Sequence, residues 1–181
     1  KIKLPLELGH CDFGENKIQE AKVKWAVELK NYKNVNLHLI GKLQSNKVKD
    51  AFQIFNFIHT LDNDKLAKIF SNLENDNKKK VNYFIQVNIG DESQKNGIAC
   101  SKVSEFTKYC KFDLKLNIIG LMCLPPVNKI PDPYFNKLKK LAIDNKLNNL
   151  SMGMSADYIS AIHLGATHVR IGSGIFGKRF N

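Results

Sequence analysis

Two stretches near the end of the chain carry residue types suited to binding a phosphate. They are residues 150–157 and 167–174, and each is predicted to be a short strand that ends in Gly and Ser residues. Between them we expect a helix that is N-capped by Ser155 and ended by Gly165. Backbone N–H groups at strand ends and helix N-termini attract anions. The pattern therefore predicts a phosphate site at the ends of the last two strands.

Arg170 is the residue in this region most suited to a charged ligand. Of 28 basic residues, only Arg170 and Arg179 are arginine, and the other cationic positions are lysine. Arg170 nevertheless lies within the apolar segment 169–171. A guanidinium stays charged and offers a planar set of donors that an ammonium lacks. We expect Arg170 to bind a ligand, although a pair with a carboxylate across the fold remains an alternative.

Other polar residues at strand ends have less specific interpretations. His38 and His59 are predicted on adjacent strands, but no third ligand shares their spacing, so hydrogen-bonded interior histidines are favoured over a metal site. Lys47 opens a predicted helix and could meet an anion or lie on the helix surface. The pair at 91–92 could be an acid and a base, but a solvated loop is the better interpretation.

Composition favours one globular domain over residues 1–181. The chain is 43% hydrophobic and 25% charged, with a net charge of +11. The lysines are spread along the chain without an arginine cluster or basic and aromatic alternation, so a lysine coat is favoured over a nucleic-acid surface. No apolar run is long enough for a membrane span. The cysteines lack zinc spacing and favour reduced thiols in the cytoplasm; they are Cys11, Cys100, Cys110 and Cys123.

Seven strand-like segments alternate with helices along the chain. The strands are predicted at 11–13, 37–40, 55–59, 81–89, 116–123, 150–151 and 169–171. The helices are predicted at 2–8, 17–30, 44–51, 62–73, 101–109, 134–146 and 155–164, with a loop at 125–133. Such alternation predicts a mostly parallel sheet. Because the sequence opens on a helix, we expect a (β/α)₈ TIM barrel whose first strand is missing from this chain. A doubly wound sheet is the alternative, but no GxGxxG follows a first strand.

Motifs along the whole chain resemble one protein family in order and spacing. They are FGEN at 13–16, HLIGKLQSNK at 38–47, HT at 59–60, QVN at 86–88, DESQKNG at 91–97, GLM at 120–122, LSMGMS at 150–155, RIGS at 170–173 and IFG at 175–177. The sequence resembles the YggS/PROSC family of pyridoxal 5′-phosphate homeostasis proteins. The resemblance implies a single barrel similar to the alanine racemase N-terminal domain, with pyridoxal 5′-phosphate as its cofactor.

The resemblance also implies roles for individual residues. In the family, a lysine at the end of the first strand forms a Schiff base with the cofactor. Lys1 and Lys3 fall on the first helix, so that lysine is expected upstream of Lys1. Arg170 is expected to face the pyridine nitrogen, and Asn16 to lie near the ring. The phosphate is expected to be held by Ser151, Gly172 and Ser173 with the backbone at Met154.

Three functions from different classes are compatible with these features. A non-catalytic carrier that buffers the cofactor is the expected one, with transfer to pyridoxal-phosphate-dependent apo-enzymes and a monomeric state. A racemase-like enzyme of the same fold is the alternative. Such racemases add a second domain and a catalytic tyrosine, and this sequence ends at Asn181, just after the last strand. A nucleic-acid binder rests on charge alone.

Overall fold

Strands and helices alternate throughout the computed structural model, which describes residues 1–92, 94 and 96–177. The strands are β1 Asp12–Glu15, β2 Asn36–Leu39, β3 Phe57–Leu61, β4 Asn82–Asn88, β5 Ile98–Ala99, β6 Asn117–Cys123, β7 Asn149–Met154 and β8 His168–Arg170. The helices are α1 Lys3–Glu7, α2 Ile18–Asn31, α3 Val48–Ile54, α4 Asp64–Asn77, α5 Val103–Lys108, α6 Asp132–Asp144, α7 Tyr158–His163 and α8 Ser173–Phe176.

The strands form one parallel sheet that is nearly closed into a barrel. Its order is β1-β2-β3-β4-β6-β7-β8, and the short β5 pairs with β4. Each neighbouring pair is parallel, because every connection crosses the outside of the sheet through helices or turns. The predicted barrel is therefore confirmed over the described residues. All strands end at the same rim, which brings their terminal residues together.

The outer faces of the strands pack against the helices to form the core. Tyr83 on β4 contacts Phe70 on α4, with ring centroids 5.1 Å apart. Trp25 on α2 is fully buried and donates from Nε1 to the buried Glu15 carboxylate at 2.8 Å. Because successive strand residues alternate sides, these outward contacts leave the next residue on each strand facing the barrel interior.

Five predicted helix starts differ from the observed α-helix starts by two to four residues, and those of α3 and α5 differ because each helix is preceded by a 3₁₀ turn. The helix expected from Asp62 begins at Asp64, because the Asn63 Oδ1 atom caps it by accepting from the Leu66 N–H at 3.0 Å. Pro133 lies inside the first turn of α6 rather than in a loop, since no helical N–H bond is needed there. Ser155 is not an N-cap; α7 begins at Tyr158, after Asp157.

No helix in the described part of the chain is suited to spanning a bilayer. None of them combines the length and the apolar character that a bilayer crossing requires.

Candidate functional site

Four of the predicted site residues lie at the rim, where β7 and β8 end. Met154 and Arg170 are register partners at the ends of these paired strands. Gly172 follows β8 after one intervening residue, and Ser173 begins the four-residue helix α8. Gly172 and Ser173 are both exposed. The structure thus brings four of the six predicted site residues to one place.

Ser155 is the serine that joins the two strand ends. Its Oγ atom accepts from the backbone N–H groups of Gly172 and Gly174, with N···O distances of 3.3 and 3.4 Å. These are long bonds to exposed donors, so a stronger acceptor could replace the hydroxyl. The sequence pattern predicts Ser155 as a helix cap, because the residue types that cap helices also accept from backbone N–H groups elsewhere.

The Met154 backbone N–H already has a hydrogen-bond acceptor. It donates to the Asp157 Oδ1 atom at 2.6 Å, just before α7 begins. A bond from an N–H to a carboxylate is charge-assisted and strong. The expected contribution of this N–H to a phosphate site is therefore not seen, and what Met154 offers at the rim is a side chain that is 43% exposed.

Arg170 is held by two neighbours on the barrel wall. Its Nη1 donates to the Ser151 Oγ atom at 2.7 Å, and its Nη2 donates to the Cys123 carbonyl at 2.9 Å. Neither partner is a carboxylate, so the alternative of a carboxylate pair across the barrel is not what the structure has. Burial lowers the pKa of Arg170 from its usual value, although arginine remains protonated in proteins.

Ser151 lies deeper than the phosphate role requires. It is fully buried, three residues before the end of β7, and its Oγ atom contacts His59 Nδ1 at 2.8 Å. Since the hydroxyl accepts from Arg170, its single O–H is left to donate to His59. That donor is unavailable to a phosphate at the rim. In the structure the Ser151 hydroxyl is instead a hydrogen-bond partner of Arg170 and His59.

His38 and His59 are hydrogen-bonded inside the barrel, as predicted, and the structure adds that they contact each other. The His38 Nδ1 and His59 Nε2 atoms are 3.0 Å apart. His38 stacks on Phe57 and His59 on Phe84, with ring centroids 4.2 and 4.3 Å apart. Among the described residues, no three His, Cys, Asp or Glu side chains are grouped to hold a metal ion.

Both interior histidines favour the neutral form. Burial, followed by the charges of His38 and Arg170, holds the pKa of His59 well below its ordinary value. Burial also lowers the pKa of His38, although Asp12 opposes the shift by accepting from His38 Nε2 at 3.1 Å. For Asp12 itself, burial acts upward, but the His38 and Asn36 hydrogen bonds leave its pKa lowered. Neutral histidines therefore lie between an anionic and a cationic residue.

The remaining candidates lie apart from the β7–β8 rim. Asn16 follows β1 and is exposed, and its backbone lies against Gly41, where an added Cβ would be 2.1 Å from the Asn16 carbonyl oxygen. Lys47 ends a half-buried 3₁₀ turn before α3. Asp91 accepts from Lys137 Nζ at 3.1 Å, so it is ion-paired rather than one of an acid and base pair.

Comparison with known proteins identifies the family. Residues 2–179 match the family model described as alanine racemase, N-terminal domain. A pyridoxal phosphate homeostasis protein of Pasteurella multocida is 37% identical over 185 residues, covering 96% of this chain and 78% of the relative.

Solved structures agree with that match. PipY of Synechococcus elongatus PCC7942, solved with PLP bound, is 30% identical with a TM-score of 0.89, covering 97% of this chain and 86% of PipY. An alanine racemase from Bartonella henselae, at 17% identity and a TM-score of 0.71, shares the fold alone. The chain belongs to the family of pyridoxal phosphate homeostasis proteins, which is built on the alanine racemase N-terminal domain.

Proposed function

We propose that this chain binds pyridoxal 5′-phosphate reversibly and serves as a non-catalytic carrier that buffers the free cofactor. The observation that carries the proposal is the group of hydrogen-bond donors at the ends of β7 and β8 in a chain 30% identical to a structure with PLP bound. Cofactor transfer to dependent apo-enzymes, and action as a monomer, belong to the same proposal.

The donor set fits a phosphate. The exposed N–H groups of Gly172 and Gly174 converge on the Ser155 hydroxyl, and Ser173 adds a hydroxyl at the start of α8. The nearby Asp157 carboxylate is an anion, but it already accepts a hydrogen bond from the Met154 N–H. A phosphate at Gly172, Ser173 and Ser155 would meet donors, with Met154 beside it. Ser151 would act through Arg170.

Arg170 fits the pyridine nitrogen and argues against strong catalysis. A fixed guanidinium can donate to that nitrogen but cannot accept a proton from it, which disfavours the protonated ring. The bound cofactor supplies an electrophilic aldehyde and an electron-withdrawing ring, and an unprotonated ring withdraws electrons less strongly. Asn16, which follows β1 at the same rim, is the proposed neighbour of the ring. This chemistry suits storage better than turnover.

A reducing compartment suits the free thiols of the chain. Cys11, Cys100, Cys110 and Cys123 are all unpaired by disulfides. Burial raises the pKa of Cys110 and Cys123 to about 12, which keeps both as unreactive thiols. We therefore place the proposed carrier in the cytoplasm.

The proposal is tested by equilibrium dialysis with pyridoxal phosphate and with pyridoxal. We expect saturable binding of pyridoxal phosphate that is at least about tenfold tighter than binding of pyridoxal, since charged hydrogen bonds to the phosphate contribute roughly 1.5–3 kcal/mol. Ser155→Ala and Arg170→Gln should each weaken binding. Ser71→Ala removes a hydroxyl bond to the Leu114 carbonyl far from the rim and should not. Absence of binding, or amino-acid racemisation with enzyme-like turnover, would contradict the carrier.

A further inference from the structure

An unbroken series of hydrogen bonds crosses the barrel interior from Asp12 to Arg170. Asp12 Oδ1 contacts His38 Nε2 at 3.1 Å, and His38 Nδ1 contacts His59 Nε2 at 3.0 Å. His59 Nδ1 contacts Ser151 Oγ at 2.8 Å, and Ser151 Oγ contacts Arg170 Nη1 at 2.7 Å. Asp12 starts β1 and Arg170 ends β8, so this interior chain links opposite ends of the barrel.

One proton arrangement satisfies every link of the interior chain when both histidines are neutral. The Asp12 carboxylate can only accept, so His38 carries its proton on Nε2 and accepts at Nδ1. His59 must then carry its proton on Nε2, and its Nδ1 accepts from the Ser151 hydroxyl. The Ser151 oxygen is left to accept from Arg170, which can only donate. The direction of all four bonds is therefore set by the two charged ends.

The middle of the interior chain is shielded from water. His38 is 5% exposed, His59 is 1% exposed and Ser151 is fully buried. A buried donor or acceptor that loses its partner costs roughly 1–3 kcal/mol, so breaking one link disturbs its neighbours. Among the described residues, the other titratable group that faces these rings is His168, whose ring centroid is 6.0 Å from that of His38 and 5.9 Å from that of His59.

We propose that Asp12, His38 and His59 are positioning residues for Arg170. Through Ser151 they fix the guanidinium in the orientation in which it meets the cofactor ring, although none of the three lies at the phosphate cluster. This inference rests on the proposed function for the identity of the ligand. The interior chain is not a proton wire, because Arg170 stays protonated and Asp12 stays ionised. Protonation of His38 would place its Nδ1–H against the His59 Nε2–H, and protonation of His59 would place its Nδ1–H against the Ser151 O–H, so either proton would force donors along the chain to reorient.

The first test is the tautomer of each histidine, measured by ¹⁵N NMR on the ligand-free protein. We expect His38 and His59 each to carry the proton on Nε2. Asp12→Ala removes the acceptor and should give His38 a mixture of tautomers, while Asp50→Ala, which breaks a surface pair with Lys22, should leave both rings unchanged. A proton on Nδ1 of His59 in the wild type would overturn the proposal.

The second test follows the Arg170 guanidinium and the cofactor separately. Slow rotation of the Arg170 Nη groups is expected in the wild type and faster rotation in Ser151→Ala and Asp12→Ala, with Ser71→Ala as the matched serine control. Long-range coupling of roughly 0.5–2 kcal/mol predicts that Asp12→Ala weakens pyridoxal phosphate binding about 2- to 30-fold. Unchanged Arg170 signals in Asp12→Ala would refute positioning. Changed signals in a protein that binds no pyridoxal phosphate would uphold positioning and refute the carrier function.

Discussion

Buried neutral histidines make the folding stability of this protein depend on pH. The pKa of His59 is held well below 6.5, first by burial and then by the neighbouring His38 and Arg170 side chains. Below pH 6.5 the unfolded chain binds a proton at this residue and the folded chain does not, so stability falls as the pH falls. Well above pH 6.5 neither state binds a proton at His59, so this loss of stability is absent.

We predict that the free energy of unfolding decreases between pH 6.5 and 5 by up to about 1.4 kcal/mol per pH unit for each such histidine. His59→Gln should lower stability at pH 7.5 and make the pH profile flatter, because the titrating group is gone. His163→Gln, at an exposed position on α7, is the control and should keep the wild-type slope. Urea unfolding at each pH measures both effects. A His59→Gln profile as steep as the wild type would contradict the assignment.

At the residue scale, side-chain type was informative where it was unusual. Arg170 stands out among lysines, and the structure places it at the rim between Ser151 and the Cys123 carbonyl. The interior chain could not be found in the same way. His59 and Ser151 are 92 positions apart in sequence, and nothing in either residue's neighbours indicates that β3 and β7 face each other across the barrel. Two strands, β4 and β6, lie between them in the sheet, so only the curvature of the sheet makes that contact.

At the scale of elements, Gly153 allows α7 to pack closely on β7. Its φ is +89°, and an added Cβ would lie 2.5 Å from the Ala161 Cβ and 3.1 Å from the Tyr158 Cα. Both contacts are on or at the start of α7, which follows the site directly. The turn between β7 and α7 therefore depends on the absence of a side chain for two reasons, backbone conformation and space.

We predict that Gly153→Ala destabilises the protein by about 2–4 kcal/mol, since strain and overpacking add. Gly165→Ala separates the two causes. Its φ is +98°, but the nearest atom to an added Cβ is the flexible Lys139 Nζ at 3.6 Å, so only backbone strain of about 1–2 kcal/mol is expected. Urea unfolding gives both values. Equal losses for the two variants would show that the contact with Ala161 is unimportant.

Element types were largely predictable, but several of their starts were not. Apolar patterning locates the longer strands and helices because the period of buried positions differs between them, but it misses the two-residue β5 and the four-residue α8. Capping depends on which N–H a polar side chain reaches, and that is decided by the tertiary structure. Asn63 caps α4, whereas Ser155 reaches across to Gly172 and Gly174. The same uncertainty hid Ser155 as a candidate phosphate ligand.

At the scale of the whole molecule, topology assembles a site from residues spread over the sequence. The strict alternation of strands and helices predicted the parallel sheet and hence a common rim. Strand count could not predict which interior side chains would touch, because that depends on strand register, including the shift between Ser151 and Met154 on β7. The fold could therefore be predicted from the periodicity of the sequence, whereas the interior chain could not.

Net charge is a second property that belongs to the whole molecule. The chain carries a net charge of +11, and these like charges repel one another in the folded state. Lys65 and Lys68 are exposed near the start of α4, where the helix dipole also disfavours cations, and neither forms an ion pair with a described residue. We predict that replacing both with Gln stabilises the protein by about 0.5–1 kcal/mol at low ionic strength. Glutamine and lysine have similar helix propensities, so the gain would be electrostatic.

Salt and a charge-preserving control decide whether that prediction is right. The gain from the two Gln substitutions should shrink as NaCl is raised toward about 1 M, where the Debye length falls to about 3 Å. The Lys65→Arg and Lys68→Arg double variant keeps both charges and should show no comparable gain at any salt concentration. A gain in stability that persists in high salt, or that the Arg variant shares, would mean that helix propensity or packing dominates at these positions. Repulsion among the surface lysines would then destabilise the folded state only slightly.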